Sequence, residues 1–139
     1  MNQDTINALR EFFQENPILQ GQPATPTEVE QAEVQLNANF NSDYKQFIIL
    51  FGGSMVGTYP VYGITNSEVM EDRTVIDLTI SFREGGWPGA DHNYVFSIDQ
   101  SGNAIMFDKK GAIISFDHDA GEEYTLATSF DDFILKCIS

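Results

Sequence analysis

Residues 94–119 read YVFSIDQSGNAIMFDKKGAIISFDHD, and this stretch decides the fold. Aromatic and branched side chains crowd residues 94–98, 104–107 and 112–116, the kind of side chain that suits a pleated, half-buried surface. Between these runs, Asp99-Gln-Ser-Gly102-Asn103 and Asp108-Lys-Lys-Gly111 supply the residues that reverse a chain tightly, with glycine taking the left-handed backbone positions. The pattern predicts three antiparallel strands in a meander. Acid stands at the strand ends, at Asp99, Asp108, Asp117 and Asp119, so the rims of the sheet are expected to be electronegative and to select a basic partner.

Upstream, GTYPVYGI at residues 57–64 alternates aromatic and small residues. It reads as an edge strand, because Pro60 cannot donate to ladders on both sides. Residues 65–90 open on a helical piece starting at Asn66 or Ser67 and running through Val69, Val75, Leu78 and Phe82, and close on the loop Glu84-Gly85-Gly86-Trp87-Pro88-Gly89. Nearer the start, Ile6, Leu9, Phe12 and Phe13 recur at helical spacing until Pro17, which marks a stop. Thr25-Pro26-Thr27-Glu28 is the signature of a capped helix start, with Thr25 as cap, Pro26 in the first turn and Glu28 reaching back. A third helix, residues 44–51, takes its cap from Ser42 or Asp43 and stops at Gly52-Gly53. Downstream, residues 119–123 turn into a strand at 124–127. Ser129 then caps a last helix with Asp131 and Asp132 in its first turn, where acids meet the positive end of the helix. The expected fold is α+β: a single antiparallel sheet containing the three-stranded meander, flanked by N-terminal helices and a C-terminal helix, in one domain spanning 1–139.

Twenty-one acids against 7 bases give a formal net charge of −14. The acids are spread along the chain rather than gathered in a tail. This balance argues against nucleic acid or an anionic membrane as partner, since each phosphate contact requires a Lys or Arg. Cys137 is the one cysteine, so no disulfide forms within the chain, and its neighbours Phe133, Ile134 and Ile138 make it a packed, inert thiol. No apolar leader opens MNQDTINALREFF and no run is long enough to span a bilayer, which points to the reducing cytoplasm.

No motif carries catalysis. Asp99–Asn103 imitates the first residues of a calcium loop, but Ala104 stands where glycine is required and the twelfth position falls at Lys109-Lys110 instead of on a glutamate. Asp117-His118-Asp119 with Glu122 and Glu123 is the one cluster that could be drawn as a metal or acid–base site. Residues 117 and 118 would point to opposite faces of a strand, and the cluster is poor in nitrogen and sulfur. Neither Gly52-Gly53 nor Gly85-Gly86 has the lysine and spacing of a phosphate loop. No enzyme activity, metal or cofactor is expected.

The order of these pieces resembles the SUKH superfamily, which includes the yeast cell-wall assembly regulator, Syd and many bacterial immunity proteins. The resemblance rests on the Thr25-capped helix, Asp43-Tyr44-Lys45-Gln46-Phe47 running into Gly52-Gly53, the strand ending near Gly63, VFSIDQSGNAIMFD, GAIISFDHD and the closing SFDDFI, across residues 25–135. Phe40-Asn41 stands where such proteins often carry Leu-Pro. The resemblance implies a non-enzymatic domain, in bacterial members commonly one that binds and neutralises a toxin, often a nuclease. It transfers no catalytic residue and no binding position. Joined to the charge, it implies a protein partner: the basic C-terminal toxin domain of a cognate toxin. The expected binding face comprises Asp91, Asp117, Asp119, Glu122 and Glu123, with Trp87 and Tyr94 as aromatic anchors. The alternative is an interaction module with a regulatory or scaffold role.

Overall fold

The meander forms the middle of a larger sheet. The computed structural model, which describes residues 1–139, extends it in both directions to six antiparallel strands in sequence order: β1 (Ser54–Val56), β2 (Tyr59–Val61), β3 (Ser97–Ile98), β4 (Ala104–Phe107), β5 (Ile113–Asp117) and β6 (Glu122–Ala127). Five α-helices accompany it: α1 (Gln3–Glu15), α2 (Pro26–Leu36), α3 (Ser42–Leu50), α4 (Val75–Glu84) and α5 (Phe130–Ile138). The fold is α+β.

The local signals act as their chemistry requires. The Thr25 hydroxyl accepts from Glu28 N at 3.2 Å while the Glu28 carboxylate accepts from Thr25 N at 2.9 Å, closing both halves of the capping box. Ser129 caps α5 through Asp132 N. The two meander turns place Gly102 and Gly111 at φ 81° and 86°, a conformation that costs a side-chain-bearing residue energy.

Four expectations are corrected. The cap of α3 is Asn41, whose side chain accepts from Asp43 N and Tyr44 N, so the helix starts earlier than residue 44. The helix of the 65–90 region starts at Val75 and not near Asn66, because Thr74 and Asp77 form a second capping box, a pairing as readable as the first. The last strand begins at Glu122, two residues before the expected start. Pro60 lies in β2, which is flanked by β1 and β3 and is no edge. Its missing N–H is tolerated because Tyr62 N donates to Phe96 O, towards β3, and residue 60, two positions earlier, faces the same way. The β2–β3 ladder accordingly pairs only Val61 with Ser97.

Aromatic rings fill the space between the sheet and α3 and α5. Phe96 meets Phe107 at 4.8 Å between centroids and Phe130 at 5.9 Å, and Tyr44 meets Phe96 at 5.6 Å. The Tyr44 hydroxyl is fully buried and donates to Tyr62 O at 2.6 Å, which fixes α3 on β2. Helix α4 is tied to the lead-in of β3 by Thr79, whose hydroxyl donates to Val95 O and accepts from Val95 N. Arg83 donates to Ala90 O, Leu36 O and Asn93 O, each at 2.8 Å. These bonds bind α2, α4 and the 84–93 loop together and thereby place Trp87. Helix α5 packs against both β1 and β6 as well as α1 and α3, so one helix reaches both ends of the sheet.

Candidate partner-binding face

The β5–β6 hairpin is built by its own first acid. Asp117 O accepts from Gly121 N at 2.8 Å, and Asp117 Oδ1 accepts from Asp119 N at 2.9 Å and Ala120 N at 3.1 Å. Gly121 closes the turn at φ 69°. The register sets Asp117 opposite Glu122, Phe116 opposite Glu123 and Ser115 opposite Tyr124. Directly opposed residues share a face, so Asp117 and Glu122 form a like-charged cross-strand pair, an arrangement that destabilises a sheet. The Tyr124 hydroxyl, two residues along on that face, donates to Glu122 Oε2 at 2.9 Å. That hydrogen bond first, and the charge of Glu122 second, raise the phenol above its ordinary range.

Asp119, Glu122 and Glu123 are exposed and Asp117 is half-buried. None is neutralised within the chain: its four ion pairs engage Asp43, Glu33, Glu71 and Asp132. The strand-end acids are not equivalent, however. Asp99 accepts from Ser101 N and Asn103 N, and Asp108 from Lys110 N and Ala112 N. These carboxylates, like that of Asp117, hold turns together. The carboxylates of Asp119 and Glu123 accept no hydrogen bond within the chain, and that of Glu122 accepts only from Tyr124.

Trp87 is half-buried and reaches the same hairpin. Its indole stacks on the His118 imidazole at 4.8 Å and 29°, meets Phe82 edge-on at 4.8 Å and lies 6.2 Å from Phe116. The backbone at His118 is held as well, its amide N–H donating to Asn103 Oδ1 at 3.1 Å. The 84–89 loop, the β3–β4 turn and the β5–β6 turn are thus joined through two residues, His118 and Asn103, that lie outside the expected set of site residues. The readable signal for His118 is its place between two aspartates in a tight turn.

Tyr94 is corrected. It is 3% exposed and belongs to the aromatic core, 4.5 Å from Phe40 and 5.9 Å from Phe107. Its hydroxyl accepts from Asn41 N at 2.8 Å, and burial holds the phenol far above its ordinary pKa. It positions the start of α3 and presents nothing to a partner. Asp91 is exposed in the single turn Ala90–His92, which packs on α4; nothing in the geometry joins it to the hairpin. No three His, Cys, Asp or Glu side chains converge as metal ligands. Asp117 accepts from turn amides and His118 stacks on Trp87.

The hairpin region presents carboxylates without ion-pair partners, the Trp87–His118 aromatic pair beside them and an exposed strand. A family described as SMI1-KNR4 cell-wall, of the SUKH group, matches residues 3–139. No curated protein matches the chain.

Proposed function

The chain belongs to the SMI1-KNR4 cell-wall family of the SUKH group, and from that premise we propose that it acts by binding a protein partner and carries out no catalysis of its own. The family is consistent with either an immunity protein or an SMI1/KNR4-like interaction module. Within that range, we propose an immunity protein that neutralises a bacterial toxin by occupying a basic surface of its C-terminal domain. A nuclease is the toxin class that best matches, since a nuclease must present cationic side chains to phosphate. No helix is long and apolar enough to cross a membrane, and we assign the protein to the cytoplasm, where such a toxin would act.

The observation that carries this reading is the hairpin at residues 117–123: Asp119, Glu122 and Glu123 are exposed and unpaired on a chain of net charge −14. Charge of this kind steers a basic partner and accelerates association at low salt. The first test is co-expression with the C-terminal domain of a toxin encoded beside this gene, scored by growth. Rescue supports the reading, and continued killing refutes it. The second test is the triple variant Asp119→Lys, Glu122→Lys, Glu123→Lys, which leaves Asp117 to hold the turn. Affinity for the toxin domain should fall at least about tenfold, with a flatter salt dependence. Unchanged affinity and slope would remove the hairpin from the interface. A regulatory or scaffold role is the second reading, favoured if the gene has no toxin beside it.

A further inference from the structure

The sheet order ends at β6, so one side of that strand has no neighbour. Alternate residues of an edge strand turn their N–H and C=O groups away from the sheet, where they stand ready to pair with another strand. β6 is also the longest strand, six residues, and Glu122, Glu123, Tyr124 and Thr125 are all exposed. Only its far end is capped from within the chain, where Lys136 Nζ donates to Leu126 O at 3.2 Å. The open stretch is therefore residues 122–125.

From this geometry we infer that β6 accepts an extended, Lys- or Arg-bearing segment of the partner protein, which adds to the sheet as a further strand. The inference deepens the proposed function and rests on it for the partner's basic character. Charge chooses the occupant. Glu122 and Glu123 at an unpaired edge discourage pairing with a second copy of the same edge, and a cationic strand reverses that effect. The two glutamates point to opposite faces, and an added strand lies about 4.8 Å away with side chains alternating in step, so basic residues on either of its faces meet an acid. On the Glu122 face a guanidinium would relieve the Asp117–Glu122 pairing and could lie against the Tyr124 ring, which is 45% exposed. The ladder supplies affinity and the acids supply selection, the division of labour found when peptides add to sheet edges.

The test separates ladder from charge. The full chain, isotopically labelled, is titrated at low salt with the peptide acetyl-Arg-Thr-Arg-Val-Arg-Thr-Arg-amide and with a twin N-methylated at two adjacent central residues. The twin keeps every charge but cannot form a ladder on either side. The unmodified peptide should shift the amides of residues 122–125 and slow their hydrogen exchange at least tenfold. The twin should bind at least tenfold more weakly, and Glu122→Lys with Glu123→Lys should abolish the response. Equal binding of both peptides would overturn strand addition while leaving the charge-based reading intact. Binding of neither, or protection confined to β1, would also overturn it, with the immunity reading still judged by growth rescue. β6 amides protected without peptide in a dimer would make a second copy the occupant and defeat the inference.

Discussion

The two ends of the sheet are finished in opposite ways. At β1 the strand is three residues long and the chain covers it: Gly21 N donates to the Ser54 hydroxyl at 3.0 Å, the turn Pro17–Leu19 packs on it, and Gly53 bridges to Asn66. A Cβ on Gly57 would overlap the Cys137 carbonyl at the end of α5. At β6 the strand is twice as long, Lys136 Nζ donates to Leu126 O near its far end, and its exposed residues include two adjacent glutamates. An unpaired edge is a hazard that proteins cover or charge. Here one edge is covered and the other charged, and a charged edge excludes like partners while remaining open to opposite ones.

High pH should give the largest effect and separate the buried core from the open edge. In the core, burial pushes the Cys137 thiol up to about 12 and lifts the Tyr44 and Tyr94 phenols above their ordinary values. These groups stay protonated in the fold but ionise in the unfolded chain, at about 8.5 for Cys and about 10 for Tyr. Their contribution is therefore complete below the unfolded values and is lost as pH rises towards the folded ones. On the open side Tyr124, although raised by Glu122, is exposed and ionises without unfolding. Tyrosinate absorbance should rise in an early phase with circular dichroism unchanged, reduced by Tyr124→Phe, and then in a cooperative step coincident with unfolding. A single phase with no link to unfolding would break the contrast.

How much is legible in the chain follows from how far each signal reaches along it. The Thr25 box, the Ser129 cap and the glycines at 102 and 111 act within a few residues, and each behaves as its local chemistry dictates. Pro60 escapes a local reading because β3, the neighbour that places β2 inside the sheet, arrives with Ser97, far along the chain, a pairing that no nearby pattern announces. Tyr94 escapes it for a related reason: a tyrosine beside Val95 and Phe96 suits a core as well as a surface, and only the approach of Asn41 to its hydroxyl decides. Counting acids at strand ends finds the acidic turns but does not tell the turn-holding carboxylates, at Asp99, Asp108 and Asp117, from those that hold no turn.

Two glycines sharpen the comparison. A Cβ on Gly21 would overlap the backbone carbonyls of Gly53 and Thr65, and these cannot move without opening the covered edge. Gly21→Ala should cost about 3 kcal/mol or more, at the upper end of overpacking penalties. A Cβ on Gly121, in the hairpin, would meet no atom within 4 Å, and only the φ of 69° constrains that residue, so Gly121→Ala should cost about 1–2 kcal/mol. Urea denaturation of both variants measures the difference, and equal costs would show the β1 edge to be as yielding as the hairpin.

The smallest effect has the opposite sign. Glu122→Lys replaces the like-charged pair with Asp117 by an attractive one, worth roughly 0.2–1 kcal/mol for a cross-strand pair. It also removes the acceptor of the Tyr124 hydroxyl, an exposed hydrogen bond that water largely replaces. The net expectation is a small gain, a rise in Tm of about 1–3 °C, accompanied by weaker binding of any cationic partner. No comparable gain is available at β1, where no acid opposes another across the ladder. A variant that is at once more stable and less able to bind is the signature of a surface whose charges serve an encounter at some cost to the fold. A Glu122→Lys chain that loses stability would instead make that glutamate a structural member of the hairpin, held there by Tyr124.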